Sequence, residues 1–228
     1  MDNIKNVNNT TKLDNSKYEY YEELLNKNKK WAADMITKDP NFFKRLVDVQ
    51  KPKYFYIGCS DSRVAVDQIT QTTPGELFIH RNVANLVVHT DLNLLTVLQY
   101  AVCHLKVEHI IVCGHYNCGG VKAAMGNDSL GLIDNWVRNI KDVYRFNQEE
   151  IESCSDEESK FKKLVEVNVK EQINNLSKTN IIQKAWKDTN LPYLHGWVYD
   201  LKDGIINPVK NINPNTNNAI DMYNYKFS

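Results

Sequence analysis

The sequence predicts a single α/β domain with a central, mostly parallel β-sheet flanked by helices, an N-terminal helical arm and a C-terminal strand hairpin. Short apolar runs alternate with amphipathic segments of ten or more residues, which is typical of parallel strands joined by helical crossovers. The length of 228 residues corresponds to about one and a half average domains. No Gly/Ser-rich linker divides the chain, so we expect one domain with peripheral segments.

The hydrophobic pattern predicts the individual elements, because helices repeat every 3.6 residues and strands every two. The predicted helices cover residues 18–36, 41–49, 89–105, 121–125, 133–144, 161–176 and 181–186. The predicted strands cover residues 54–58, 76–80, 109–114 and 193–201, and the turn Asp203-Gly204 leads back into Ile205-Ile206 as a hairpin. The run 109–114 is apolar throughout, as expected for a strand that is buried on both faces.

These elements divide the chain into four predicted parts. Residues 1–15 form a polar N-terminal tail and residues 16–49 form the helical arm. Residues 50–206 form the α/β core, and residues 207–228 form an Asn-rich C-terminal tail.

The composition argues against several classes of partner. The chain has 28 Lys+Arg and 28 Asp+Glu and no basic stripe, so we expect no nucleic-acid partner. No stretch is apolar over the length of a membrane-spanning helix, and Met1–Lys5 resembles neither a signal peptide nor a transit peptide. We therefore expect a cytoplasmic protein without a membrane partner. Its five cysteines are then thiols or metal ligands rather than disulfides.

Three metal-binding side chains follow the ends of two predicted strands. Cys59 follows the strand 54–58, and His115 and Cys118 follow the strand 109–114. Ligand sites of open α/β sheets lie beyond the carboxyl ends of the strands, so the three side chains can converge. Two cysteines and one histidine form a catalytic zinc set that leaves the fourth position for water. Cys59 considered alone is more often a small buried apolar residue than a metal ligand; the two halves together, at matching strand ends, favour the metal.

Asp61 and Arg63 lie two and four residues after Cys59. An arginine can hold a carboxylate with a two-pronged hydrogen bond, and we expect Asp61, oriented by Arg63, to accept a hydrogen bond from a hydroxide bound to zinc. The alternative is a surface ion pair worth less than about 1 kcal/mol. The proximity to Cys59 favours a catalytic pair.

The run Cys59-Ser60-Asp61-Ser62-Arg63, together with His115-x-x-Cys118-Gly119-Gly120, resembles the signature of the β-class carbonic anhydrases, in the bacterial-type subclass. The resemblance continues in order over about residues 40 to 206, through the segments 78–85, 89–93, 131–136, 167–169 and 195–197. It implies an enzyme, a zinc lyase also called carbonate dehydratase. The implied reaction is the reversible hydration of carbon dioxide to bicarbonate and a proton, with one Zn²⁺ per chain.

The resemblance also implies roles for individual residues. Cys59, His115 and Cys118 correspond to the zinc ligands, and Asp61 and Arg63 to the catalytic dyad. The residues that correspond to the substrate pocket are Gln50, Phe78, Val83, Tyr100 and Gly119. Gln50 would hydrogen-bond the substrate across a subunit boundary. Phe78, Val83 and Tyr100 would form the apolar lining, and the backbone of Gly119 would border the pocket. The implied assembly is a homodimer in which the N-terminal helices wrap round the partner, with two dimers paired into a tetramer.

The resemblance implies a second state of the same site. In it Asp61 leaves Arg63 and becomes the fourth zinc ligand, which closes the site. Bicarbonate bound at a separate effector pocket, corresponding to Tyr56, Arg81 and Tyr199, stabilises that state. The subclass usually has tryptophan at the position of Tyr56, so the sequence departs from the pattern at one of the three positions.

Two alternative functions use the same residues. One is hydrolysis of carbon disulfide or carbonyl sulfide on this scaffold, which depends on access to the pocket. The other is a non-catalytic zinc-binding module in which Asp61 permanently fills the fourth position; the presence of Arg63, which can hold Asp61 away, argues against it. For the hydration reaction we expect activity to rise towards alkaline pH, because two thiolates offset the charge of the metal.

Overall fold

The computed structural model describes residues 15–216 and 221–227, with side chains from residue 18 onward. The chain divides after Val49 into two compact units, and each is described by itself.

The first unit consists of two helices. Helix α1 covers Asn15–Lys38 and α2 covers Lys44–Val47. Trp31 packs edge-to-face against Phe43 with a centroid distance of 5.6 Å. The helix predicted over 41–49 is shorter in the structure, because residues 39–43 form a turn in which the Asp39 carboxylate accepts the backbone N–H of Asn41. Large apolar side chains of α1 remain exposed: Tyr18, Tyr20, Tyr21, Leu24, Leu25, Trp31 and Ile36.

The second unit is built on a five-stranded sheet. The strands are β1 (Tyr54–Cys59), β2 (Leu77–Asn82), β3 (His109–His115), β4 (Tyr193–Tyr199) and β5 (Ile206–Ile212). Their order is β2-β1-β3-β4-β5. The first four strands are parallel and β5 is antiparallel to β4. The predicted fold class, a mostly parallel sheet with a C-terminal hairpin, is confirmed.

Helices connect the strands. They are α3 (Val66–Thr70), α4 (Leu92–Gln99), α5 (Gly119–Met125), α6 (Ile133–Phe146), α7 (Gln148–Glu152), α8 (Glu157–Ser177) and α9 (Asn180–Thr189). A π-helical turn, Tyr100–His104, continues α4, and Val83–Asn85 and Asp221–Tyr223 form short 3₁₀ turns. None of the helices within the described ranges has the length and apolarity needed to cross a bilayer.

Side-chain caps explain where two helices begin. The predicted helix at 89–105 begins at Leu92, because the carboxylate of Asp91 accepts the backbone N–H groups of Asn93 and Leu94. Helix α8 begins four residues before its predicted start of 161, because Asp156 caps it by accepting the N–H of Ser159. The short helices α3 and α7 were not predicted from the sequence.

The sheet has an apolar cluster on each face. The larger cluster lies under the helices, where Val169 and Ile173 of α8 pack so closely on Gly196 that a Cβ there would lie 3.0 Å from Val169. The smaller cluster on the other face contains Tyr56, Val66, Ile111 and Cys113, with the partly buried residues Tyr54, Leu77, Trp197 and Tyr199 packed against it.

Strand β5 continues to Ile212, six residues into the segment that the sequence indicated as a tail. Ile212 pairs with Leu194 of β4 and is buried, which accounts for the extension. Residues 221–227 lie along α9, where the Gln183 side chain donates to the Tyr223 carbonyl and accepts the Tyr225 N–H.

The strand order determines where a ligand site can form. β2 pairs with one edge of β1 and β3 with the other, so the chain changes direction across the sheet between β1 and β3. In open α/β sheets such a switch point opens a crevice beyond the carboxyl ends of the two strands. Cys59 ends β1 and His115 ends β3.

Candidate active site

The three predicted metal ligands meet at this switch point. Their ligand atoms, two sulfurs and an imidazole nitrogen, all lie within 4.8 Å of one another, and all three residues are buried. The Sγ atoms of Cys59 and Cys118 are 3.9 Å apart. Cys118 reaches the other two because the chain turns at Asn117, whose φ is positive, before α5 begins. The predicted convergence of residues 56 positions apart in sequence (59 and 115) is therefore present.

The orientation of His115 leaves one nitrogen available for a ligand. Its Nδ1 lies 2.9 Å from the backbone oxygen of Tyr116 and donates to it. The Nε2 atom therefore carries a lone pair, and it is buried without a hydrogen-bond partner among the described residues. A buried nitrogen without a partner is costly, and histidine ligands are commonly oriented through the other ring nitrogen in this way. This observation fits a metal ion.

The contact between the two thiols shifts their pKa values in opposite directions. Hydrogen bonding with the Cys118 thiol lowers the pKa of Cys59 against the effect of burial, and the proximity of the His115 ring and of the Ala84 and Asp61 backbone acts in the same direction. The same contact with Cys59, together with burial, raises the pKa of Cys118. A divalent cation would hold both sulfurs as thiolates, and two thiolates with one imidazole are typical of zinc.

Asp61 borders this cluster and is held by Arg63. The Nε and the backbone N–H of Arg63 both donate to Asp61 Oδ1 at 2.9 Å, and Nη2 donates to Oδ2 at 2.7 Å. Oδ2 also lies 3.6 Å from Nε2 of His115. The hydrogen bond from Arg63 holds the pKa of Asp61 well below its usual range, so the carboxylate is ionised and faces the metal-ligand cluster.

Arg81 holds the loop that carries Cys59 and Asp61. From β2 its Nε and Nη2 donate to the carbonyl of Cys59 at 2.9 and 2.7 Å, and Nη2 also donates to the carbonyl of Asp61 at 2.7 Å. Sequence reasoning assigned Arg81 only to an effector pocket and missed these contacts, because a carbonyl acceptor has no residue-type signature.

The other two predicted effector residues lie on the smaller apolar face of the sheet. Tyr56 is buried, and its hydroxyl has no hydrogen-bond partner among the described residues. Tyr199 packs against the same cluster. Within residues 15–216 and 221–227, no hydrogen bond joins Tyr56, Arg81 and Tyr199 to one another.

The predicted substrate-pocket residues lie on several elements of the second unit, and their role as one pocket stays a prediction. Phe78 of β2 packs against Tyr100 of the π-helical turn with a centroid distance of 5.8 Å. Val83 lies against α5, where a Cβ on Gly120 would be 2.8 Å from its side chain. Gly119 begins α5 and is exposed. Gln50 is exposed ahead of β1, and its hydrogen bond across a subunit boundary stays a prediction.

The turn after β2 contributes a contact that the sequence did not indicate. Ala84 has a φ of 64°, a left-handed conformation that is unusual for alanine, and its backbone N–H helps to lower the pKa of Cys59. Trp136 stabilises the turn by donating from Nε1 to the carbonyl of Val83 at 2.8 Å. The site thus includes backbone donors that residue types alone do not predict.

Comparisons with known proteins agree with this geometry. A family model described as carbonic anhydrase matches residues 54–206. The carbonic anhydrase of Emericella nidulans is 46% identical over 186 residues, which cover 82% of each chain.

Solved structures lead to the same family. A tetrameric β-carbonic anhydrase from Sordaria macrospora is 35% identical, with a TM-score of 0.81, over 85% of this chain and 99% of that one. The Coccomyxa β-carbonic anhydrase in complex with acetazolamide is 39% identical, with a TM-score of 0.80, over 83% of this chain and 86% of that one. With a buried Cys-His-Cys cluster that fits zinc, the chain belongs to the β-class carbonic anhydrases, zinc lyases that reversibly hydrate carbon dioxide to bicarbonate and a proton.

Proposed function

We propose that Cys59, His115 and Cys118 hold the catalytic zinc ion, one per chain, and that Asp61 and Arg63 orient the nucleophile. The observation that carries this assignment is the meeting of three buried ligand atoms within 4.8 Å, with Nε2 of His115 lacking a partner among the described residues. When bound, a zinc ion activates water as a nucleophile near neutral pH.

Asp61 is the acceptor that aligns this nucleophile. Two hydrogen bonds from the Arg63 guanidinium and one from its backbone fix the carboxylate, so a hydroxyl group donating to Oδ2 has one favoured direction. Arg63 keeps Asp61 ionised, and an ionised carboxylate can only accept hydrogen bonds. Asp61 would in this way orient a hydroxyl group supplied by a bound zinc ion for attack on the substrate.

We assign the place for carbon dioxide to apolar side chains of the second unit. Phe55, Phe78 and Tyr100 form a continuous aromatic row with centroid distances of 5.8 Å at each step. We assign Phe78, Val83 and Tyr100 to the walls of a dry pocket for a small apolar molecule. Gln50 of the neighbouring subunit and the backbone of Gly119 complete its polar rim.

Asp61 also provides a means of closing the site. Its Oδ2 is already 3.6 Å from Nε2 of His115, so a rotation away from Arg63 would let it serve as the fourth ligand of a bound zinc ion. Arg81 holds the carbonyls of Cys59 and Asp61. Bicarbonate bound between Arg81, Tyr56 and Tyr199 would compete for that guanidinium and release the loop, which supports an effector role for these three residues.

We further propose a homodimer, paired into a tetramer, in the cytoplasm, with neither nucleic acid nor membrane as a partner. The seven exposed apolar side chains of α1 support an arm that packs on a second subunit. The related structure from Sordaria macrospora is of a tetrameric enzyme. The balanced charge of the chain supports the expectation about nucleic acid.

The substitution Asp61→Asn tests the catalytic assignment directly. Asparagine keeps the size of the side chain but not its charge, so we expect zinc content to be unchanged and kcat for carbon dioxide hydration to fall by about a hundredfold or more. Stopped-flow hydration with elemental analysis measures both. An Asp61→Asn enzyme with the wild-type rate would contradict the assignment.

A further inference from the structure

Two histidines outside the active site share a hydrogen bond on the smaller apolar face of the sheet. Nδ1 of His109, the first residue of β3, lies 3.0 Å from Nε2 of His195 in β4. The strand register places His109 opposite Tyr193 and His195 opposite Ile111. The two histidines are therefore diagonal neighbours on one face, towards the amino end of β3, whereas the candidate zinc ligand His115 is at its carboxyl end.

The hydrogen bonds define which nitrogens carry protons. Nδ1 of His195 lies 2.8 Å from the amide oxygen of Asn211, and because that oxygen can only accept, His195 carries its proton on Nδ1. Nε2 of His195 therefore presents a lone pair, and His109 donates to it from Nδ1. Burial and the neighbouring His195 lower the pKa of His109. The nearby Glu108 raises this pKa, and Lys53 lowers it.

Neighbours on three strands hold both rings in place. His109 is stacked between Tyr54 of β1 and Tyr193 of β4, with centroid distances of 5.5 and 5.6 Å and interplanar angles of 25° and 27°. Asn211 of β5 pairs directly with His195 across the hairpin. Both histidines are nevertheless half-buried rather than enclosed, so an ion can reach them from solvent.

We propose that His109 and His195 form a second metal site, for a divalent transition ion that prefers imidazole ligands, such as Ni²⁺ or Zn²⁺. Two imidazole nitrogens on one such ion are about 3.0–3.4 Å apart at ordinary metal–nitrogen distances, close to the 3.0 Å observed. Imidazole is a preferred ligand of these ions, and water completes the coordination.

Binding needs a change of tautomer and a reorientation of the two rings, because nitrogens joined by a hydrogen bond point at each other rather than at a common ion. The proton on Nδ1 of His109 leaves through solvent and Nε2 of the same ring takes one up, so two neutral rings bind the ion without a net release of protons. His195 keeps its hydrogen bond to Asn211, which is the arrangement that commonly orients histidine ligands. The proposal does not depend on the proposed function of the zinc site.

Titration of the zinc-loaded protein with NiCl₂, followed by calorimetry, tests this site. We expect the wild type to bind one nickel ion per chain while its zinc content, measured after gel filtration, stays constant. His109→Gln and His195→Gln should lose this binding, and Asn211→Ala should weaken it by about tenfold. His89→Gln is the matched control, because the His89 ring contacts only a backbone oxygen of Asn175 among the described hydrogen bonds, and it should bind as the wild type does.

Three results would overturn the proposal. They are a wild-type protein that takes up no nickel, nickel uptake matched by zinc release, and undiminished binding in the folded glutamine variants. Carbon dioxide hydration and circular dichroism verify that each variant is folded. Should His109→Gln fail to fold, His195→Gln carries the same test.

Discussion

Arg63 fixes both oxygens of the Asp61 carboxylate. Oδ1 accepts from Nε and from the backbone N–H of Arg63, and Oδ2 accepts from Nη2. The Arg63 side chain is 55% exposed, whereas that of Asp61 is 16% exposed. The arginine can therefore open towards solvent without disturbing the core, while the carboxylate stays beside the metal-ligand cluster. This asymmetry connects the two roles proposed for Asp61, orienting the nucleophile and acting as a fourth ligand.

Replacing Arg63 with alanine should separate orientation from metal binding. We expect Arg63→Ala to lower kcat/KM for carbon dioxide by about a hundredfold, because a misplaced catalytic group costs about that much, while zinc content stays at the wild-type level. Arg63→Lys, which keeps the charge but not the two-pronged geometry, should recover only part of the loss. Stopped-flow hydration measures the rates, and full activity in Arg63→Ala would show that the dyad is not needed.

The effector proposal predicts a loss of bicarbonate inhibition. Tyr199→Phe leaves the contacts of Arg81 with the loop carbonyls intact, so its basal rate should stay near wild type while inhibition by bicarbonate weakens severalfold. Arg81→Ala should abolish the inhibition and also lower the basal rate, because it releases the loop carrying Cys59 and Asp61. Initial rates measured over a bicarbonate series check both. An unchanged response to bicarbonate in Arg81→Ala would eliminate the pocket.

Gly58 has no room for a side chain. A Cβ there would lie 2.3 Å from the ring of Tyr56, so we expect Gly58→Ala to lower the free energy of unfolding by about 1–3 kcal/mol. Tyr56→Phe should instead raise it by about 1 kcal/mol, because it removes a buried hydroxyl that has no partner among the described residues. Urea unfolding measures both changes. Wild-type stability in Gly58→Ala would indicate that the Tyr56 ring moves freely.

Stability should decrease in mild acid partly through His80. Burial lowers the pKa of this histidine below its ordinary value of 6.5, with Asp91 acting in the opposite direction. As the pH falls below about 6.5, the unfolded chain binds a proton that the folded chain does not, so the free energy of unfolding decreases. Above that pH the contribution of His80 is fully present.

Urea unfolding at pH 7.5 and at pH 5 checks this sign. His80→Gln should reduce the loss of stability between the two pH values, whereas the control His89→Gln should keep the wild-type loss. An identical loss in wild type and His80→Gln would assign the acid sensitivity to other groups.

The sequence was sufficient to predict the parts of the site that depend on strand ends. Cys59, His115 and Cys118 carry distinctive chemistry, and parallel strands bring their carboxyl ends to one edge of the sheet. The contacts of Arg81, the left-handed Ala84 and the carbonyl of Tyr116 could not be predicted in this way. They are interactions with backbone groups, which every residue carries, and only tertiary packing selects them.

A similar reason explains the differences in the fold. Asp91 and Asp156 cap two helices and so determine where these helices begin. Each cap depends on a single polar side chain, which the hydrophobic periodicity of the sequence does not reveal. The sequence of strand β5 is largely polar because β5 is an edge strand. Ile212 is buried because it pairs with Leu194 of β4.

Carbon dioxide hydration measured against zinc content, between about pH 6 and pH 9, tests the central claim most directly. We predict about one zinc ion per chain, a rate proportional to zinc content, and a rate that rises towards alkaline pH because two thiolates offset the charge of the metal. Cys59→Ser and Cys118→Ser should lose zinc and activity together. A zinc-free protein that hydrates carbon dioxide as fast as the zinc-loaded one, or a zinc-loaded protein without activity, would contradict the account.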